Sequence, residues 1–392
     1  MTSIDRSLDR QGLLSPVRML PGEEGQPQPE AGFGLCLSGG GYRAMLFHLG
    51  VVRRLDETGV LGGLERISSV SGGSITAGVL ALAWPQLQPG TPGLSPAFDE
   101  LVEAPIRELA RHGIDVGAGL KGLAHPLRSI SDAVADAYRR HLFGDSTLAD
   151  LPNSPVFVIN ATNMGSGALV RFTRSYLADW RVGRVANPDV DLAVAVACSS
   201  AFPPFLSPHR LQTSGMDWVT DQGNDLVEAA QRDELVLSDG GVYDNLGLET
   251  VWKKCKTVIV SDAGGEMAPD PDARSLWPLH LLRVLTVIDH QVRSLRKRQV
   301  IEGFRRQGDH DGVYLGIRSD IANYQDDASL PAPAAQTLDL AGIATRLDDL
   351  DETTQERLIN WGYAICDAGL RRHLEPGLER SSGFPYPDAG VG

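Results

Sequence analysis

The chain has 392 residues, a hydrophobic content of 42% and a formal charge of −14. That length can bury one large core or two modest ones, and the ordinary charged fraction argues against disorder. The acidic balance argues against a general nucleic-acid binder, and against attachment to anionic lipid by charge alone.

Residues 1–30 read as a flexible leader, because Pro21-Gly22-Glu23-Glu24-Gly25-Gln26-Pro27 has nothing to bury. Met1–Arg6 lacks the apolar core of a signal peptide. No stretch reaches the roughly 18 apolar residues of a membrane span. Cys36, Cys198, Cys255 and Cys366 are widely scattered, as expected of reduced thiols in a cytoplasmic protein.

An apolar strand over 33–37 enters Ser38-Gly39-Gly40-Gly41, and a helix over 43–57 follows. Backbone N–H groups at such a helix start have no partner inside the helix and attract negative charge. A second strand, Ile67–Val70, turns at Ser71-Gly72-Gly73 into a helix from Ser74 to about Trp84. Pro85 to Pro96 reads as a loop, and 99–143 as mostly helical, a candidate cap. Strands are expected at 156–160 and 168–173, and an alanine-rich helix at 191–200 before Pro203-Pro204. Two further strands, 235–237 and 257–260, lead into Ser238-Asp239-Gly240-Gly241 and Ser261-Asp262-Ala263-Gly264-Gly265.

Leu281, Val284, Leu285, Ile288, Val292 and Leu295 recur at helical spacing, as do Leu347, Leu350, Leu358, Trp361 and Ile365. Arg293, Arg296, Lys297 and Arg298 near the end of the first pattern read as a solvated helix terminus, with a lipid-facing patch as the alternative. Residues 376–392 read as a tail. Alternating strands and helices predict an α/β fold with a largely parallel sheet, and ligands at the strands' C-terminal ends.

A dinucleotide would need a carboxylate at the end of the second strand, which instead reads Ser68-Ser69-Val70-Ser71-Gly72-Gly73. A Walker loop would need Gly-Lys-Ser/Thr, which is absent from the run. Ser69-Val70-Ser71-Gly72-Gly73 is close to the nucleophile elbow Gly-x-Ser-x-Gly, with Ser69 in place of the first glycine. Ser74 is the rival nucleophile, although its +2 neighbour is Thr76 rather than a glycine. Candidate bases are Asp239, Asp262, and in a triad His280 or His290. A buried aspartate becomes basic enough to take the serine proton itself. No cluster has metal-ligand spacing, and serine acyl transfer needs neither metal nor cofactor.

Four blocks in order resemble the patatin-like phospholipase family: Ser38-Gly39-Gly40-Gly41-Tyr42-Arg43, Ser69–Gly73, Ala197–Pro204, and Leu237–Asn245. The wording of the first leans toward the cytosolic phospholipase A branch. The resemblance implies a three-layer α/β fold over 31–375, and a Ser71–Asp239 dyad in preference to Asp262. It implies an oxyanion hole from Gly39, Gly40, Gly41 and Tyr42, and no metal; Arg43 either pairs with a substrate phosphate or holds the loop. It further implies a lipid acyl hydrolase of phospholipase A or lysophospholipase type, cytoplasmic and peripheral on membrane, with a phospholipid or other lipid ester as substrate. No motif identifies a regulatory partner. A serine esterase or thioesterase on soluble acyl substrates, and a silent ligand-gated binding protein on the same fold, are the alternatives.

Overall fold

The computed structural model describes residues 30–114, 130–267, 269, 276–325 and 329–392, apart from Phe205, Gln222 and Gln307. Residues 1–29 of the expected leader and 115–129 of the expected cap lie outside the described residues.

Among the described residues eleven strands form one sheet. The first three are β1 (Glu30–Leu37), β2 (Leu64–Ser69) and β3 (Val156–Asn163). A run of short strands follows: β4 (Ala168–Phe172), β5 (Tyr176–Asp179), β6 (Gly183–Ala186), β7 (His209–Gln212) and β8 (Trp218–Val219). The last three are β9 (Glu234–Asp239), β10 (Cys255–Asp262) and β11 (Asp311–Gly316). The main order is β11-β10-β1-β2-β3-β4-β5-β6-β8, with β9 pairing β3 and β7 pairing β9. From β11 to β3 neighbours run parallel; from β3 to β8 they run antiparallel.

Two strands share one edge of β3. β2 lies parallel to its first half, with Ser69 opposite Ile159, and β9 lies antiparallel to its second half, with Asp239 opposite Ala161. The C-terminal ends of β2 and β9 therefore meet head-on, two residues apart along β3. The chain that leaves β2 carries Ser71, and Asp239 is the last residue of β9.

Helices cover both faces, as alternate residues of a buried parallel strand require. On one face Leu35, Leu37 and Ile259 pack under α1 (Gly41–Glu57) and α2 (Gly72–Leu87). The described parts of 99–143 add α3 (Ala104–Arg111) and α4 (Ile130–Tyr138), and α5 (Leu192–Ser199) matches the alanine-rich segment. Short helices α6 (Ala229–Arg232), α7 (Gly241–Asp244) and α8 (Glu249–Trp252) flank β9 and β10. Three more helices close the chain: α9 (Trp277–Arg305), α10 (Ala334–Gly342) and α11 (Glu352–His373). On the second face Cys36, Val258 and Val260 pack with Leu248, Val251 and Val300. The result is the three-layer α/β fold expected from the sequence, with a mixed sheet whose parallel half carries the glycine loop.

Three local readings change. α2 starts at Gly72 and runs through Pro85 to Leu87, so part of the expected loop is helix. α9 continues to Arg305, which places Arg293 to Arg298 inside the helix rather than at its end. Residues 376–392 form no free tail. Asn360 donates to the carbonyls of Tyr386 and Gly390, both at 2.7 Å, and Val391 is buried. A Pro/Gly-rich segment has no periodicity that would announce such docking.

Candidate active site

The elbow is built by close approach of backbone to backbone. A Cβ on Gly72 would lie 2.1 Å from the Gly41 carbonyl oxygen, and one on Gly73 would lie 2.4 Å from that of Leu37. The turn between β2 and α2 is tight enough to hold Ser71 at φ 54°, ψ −122°, a conformation that non-glycine residues keep only where their surroundings impose it. The Ser71 N–H donates to Ser199 Oγ at 2.9 Å. Ser74 is fully buried, and its hydroxyl is engaged with Ser69 Oγ and Ser199 Oγ, each at 2.9 Å. Ser71 thus opens on the cleft, whereas Ser74 belongs to the support beneath it.

Asp239 ends β9 with its side chain 1% exposed. Its Oδ1 accepts the Gly241 N–H at 2.6 Å, and its Oδ2 is buried without a well-formed hydrogen bond. Burial pushes the carboxyl up to about 7. Hydrogen bonding from Gly241 and from the Ser71 hydroxyl pulls the other way, and the Asp289 charge adds to the rise. A carboxylate in that state is a base poised near neutrality.

The glycine loop borders the same spot. A Cβ on Gly39 would lie 3.1 Å from Ser71 Cβ, and Gly40, at the N-terminus of α1, has φ 152°. Its four expected donors divide. The Gly39 N–H donates to Asn245 O at 3.1 Å and the Tyr42 N–H to Arg346 O at 2.9 Å, so neither faces an incoming oxyanion. Gly40 and Gly41 are the loop positions whose N–H groups are not taken by such a loop carbonyl. Beneath the loop, His48 bonds Ser261 Oγ at 2.7 Å and Ser38 O at 2.9 Å; burial lowers it to about 4, so the ring is neutral at physiological pH.

Of the two expected roles of Arg43, a substrate contact and a hold on the loop, its contacts are those of the second. Its Nε and Nη2 donate to Ala263 O at 3.2 and 2.9 Å, Nη1 donates to Ile343 O, and Nη2 also donates to Thr345 Oγ1 at 3.0 Å. The side chain is a staple between α1 and two distant loops.

Asp262 is likewise engaged. Its carboxylate accepts from Gly264 N–H, Tyr314 Oη and Lys297 Nζ at 2.9, 2.6 and 2.8 Å. Burial alone would raise its pKa, but Lys297 and Arg293 hold it well below the usual carboxylate range. It anchors α9 to β10. Among the described residues no histidine hydrogen-bonds Ser71 or Asp239; His290 lines the cleft, and His280 lies exposed on α9.

The cleft between these groups holds about 150 Å³, with Phe202, Asp289, His290 and Arg293 in its walls. Sequence reasoning missed Ser199 and Asn245 as supports, although both lie inside the matched blocks. It also missed Arg293 as a wall of the site, because only the fold of α9 over β10 brings it there.

A model of the family described as patatin-like phospholipase matches residues 35–252, more than half of the chain. The chain belongs to that family. Among curated protein sequences none matches it. Solved structures similar to it include human GIVD cytosolic phospholipase A2, at 14% identity and a TM-score of 0.49 over 93% of this chain and 63% of that one. VipD from Legionella pneumophila matches at 14% identity and a TM-score of 0.33, over 86% of this chain and 66% of that one. ExoU in complex with SpcU, from Pseudomonas aeruginosa, matches at 17% identity and a TM-score of 0.26, over 93% and 77%. The chain thus spans less than two thirds of the human enzyme's length. In this chain, no helix among the described residues is long and apolar enough to cross a membrane. No described group of His, Cys, Asp and Glu could hold a metal ion.

Proposed function

We propose that the chain is a serine acyl hydrolase that cleaves carboxylic esters of phospholipids or related lipids through Ser71 and Asp239. The observation that carries this reading is the head-on meeting of β2 and β9, which puts a strained, cleft-facing serine beside a buried carboxyl poised near 7. Asp239 Oδ2 takes the Ser71 proton as Oγ bonds the ester carbonyl carbon. The resulting oxyanion is held by the Gly40 and Gly41 N–H groups at the positive end of α1. As the intermediate collapses, the ester C–O bond breaks and the alcohol leaves with the proton from Asp239. Water then attacks the acyl-enzyme, gives its proton to Asp239 and releases the fatty acid while Ser71 recovers its own.

A lipid substrate is supported by what flanks the cleft. On α9, Leu285 and Ile288 are exposed within about one turn of the cleft-lining Asp289 and His290, and exposed Leu281 and Trp277 continue that apolar face toward the start of the helix. An apolar face next to an ester-cleaving site meets a lipid aggregate edge-on. Four free cysteines suit action from the cytoplasmic side of a membrane.

Fluorophosphonate labelling and hydrolysis of phosphatidylcholine vesicles test the proposal. Wild type and Ser74→Ala should label and hydrolyse, and Ser71→Ala should do neither while keeping its fold. Labelling that survives in Ser71→Ala would remove Ser71 as nucleophile. Faster turnover of soluble thioesters than of vesicles would move the substrate class.

A further inference from the structure

We propose that Arg293 binds the phosphodiester of a phospholipid in the cleft that holds Ser71, an assignment that rests on the lipid-hydrolase reading above. Arg293 projects from α9, lines the cleft and is 11% exposed. Its Nε is buried without a partner. Nη1 lies 3.8 Å from Asp289 Oδ2, beyond hydrogen-bond length. Nη2 lies over Gly264, where even a Cβ would come within 1.9 Å of it. Among the described residues, the five donors of this guanidinium have no hydrogen-bonded acceptor.

The neighbouring cations differ. Arg43 is taken by carbonyls and Thr345, Arg296 by Glu249 at 3.1 Å, Lys297 by Asp262 at 2.8 Å, and Arg318 by Glu266 at 2.8 Å. Burying polar donors unpaired is costly, and a planar guanidinium finds its best match in a bidentate oxyanion. Arg43, Arg293 and Lys297 all lie close enough to Asp262 to act on its charge, and Arg293 is the one of the three that lines the cleft. A glycerophospholipid places its phosphodiester only a few bonds from either ester. An anion on Arg293 would thereby set which ester carbonyl reaches Ser71.

The test is binding, not turnover. An ether-linked lysophosphatidylcholine, which cannot be hydrolysed, and the matching alkylglycerol are titrated below their aggregation concentrations against wild type, Arg293→Gln and Arg293→Lys. Arg293→Gln should weaken the phosphocholine ligand about 10- to 100-fold, the range for losing a charged hydrogen bond. It should leave the alkylglycerol unchanged, and Arg293→Lys should recover part of the loss. Inorganic phosphate should bind far more weakly than the ether lipid; equal binding would assign the site to free phosphate instead. Equal weakening of both lipids, no weakening, or no wild-type preference for the phosphocholine ligand would each overturn the proposal. Binding that behaves as expected in a protein without esterase activity would sink the hydrolase reading and keep the anion site.

Discussion

At the scale of single residues, Asp239 joins chemistry to stability. Its carboxyl sits near 7 in the fold, raised first by burial, and near 3.9 in an unfolded chain. As the proposed base it would work only when ionised, so kcat/KM should fall about tenfold per pH unit below pH 7, as a pH–rate profile would read. The linkage runs the opposite way for stability. Between about pH 4 and pH 7 the folded state binds the extra proton, so this group's contribution declines as pH rises, and its penalty is fully present above pH 7. Asp239→Asn keeps an acceptor for the Gly241 N–H and removes the buried charge. It should abolish turnover by orders of magnitude yet raise the melting temperature at pH 8, with no gain at pH 4. A melting temperature that falls at pH 8 would contradict the buried, uncompensated carboxyl. Ser71 and Asp239 were legible because their turns are written in adjacent small residues. The partners of Arg43 were not, because Ala263, Ile343 and Thr345 lie more than 200 residues away.

At the scale of elements, α1 and α11 touch backbone to backbone. A Cβ on Gly50 would lie 1.9 Å from the Ile359 carbonyl oxygen, and one on Gly362 would lie 1.9 Å from that of Phe47. Those carbonyls cannot move without shifting a helix, so Gly362→Ala should destabilise by about 1–3 kcal/mol despite alanine's better helix propensity. Gly377→Ala, where nothing lies within 4 Å, is the control and should stay within about 0.5 kcal/mol. Denaturant midpoints decide it; equal effects at both sites would mean that the helices are free to separate. The contrast between α11 and α9 shows where periodicity stops being informative. Both were legible as helices from the spacing of their apolar residues, although Leu347 and Leu350 of the second pattern precede α11. Leu358, Trp361 and Ile365 of α11 are buried, but Leu281, Leu285, Ile288 and Leu295 of α9 are exposed. Spacing specifies a face, and only the surrounding fold says whether that face meets a core or solvent.

At the scale of the whole molecule, the parallel half of the sheet was readable because doubly buried strands are continuous apolar runs. The strands β5 to β8 and β11 were not, being too short or too polar to stand out from turns. The head-on approach of β2 and β9 depends on their sharing one edge of β3, a pairing that no local pattern encodes. That architecture leaves the cleft walled by α9, whose outward stripe runs through positions 277, 281, 285, 288, 292 and 295. The net charge of −14 sets electrostatics against an anionic surface, so under the proposed function attachment to vesicles would come from burying this stripe. Leu285 and Ile288 are 53% and 54% exposed, so Leu285→Ser with Ile288→Ser removes apolar area without opening the core. Full burial of such a pair is worth about 3–6 kcal/mol, and a third of that changes partitioning about 5- to 30-fold. The double variant should sediment with phosphatidylcholine vesicles at least about fivefold less and hydrolyse them correspondingly more slowly. Its turnover of a soluble short-chain ester should match wild type, because neither side chain lines the cleft. Raising the salt concentration should strengthen or leave unchanged the wild-type attachment to vesicles containing phosphatidylserine, since the net charge repels them. Attachment lost on adding salt would instead place the contact on a basic patch and remove the α9 stripe from the membrane.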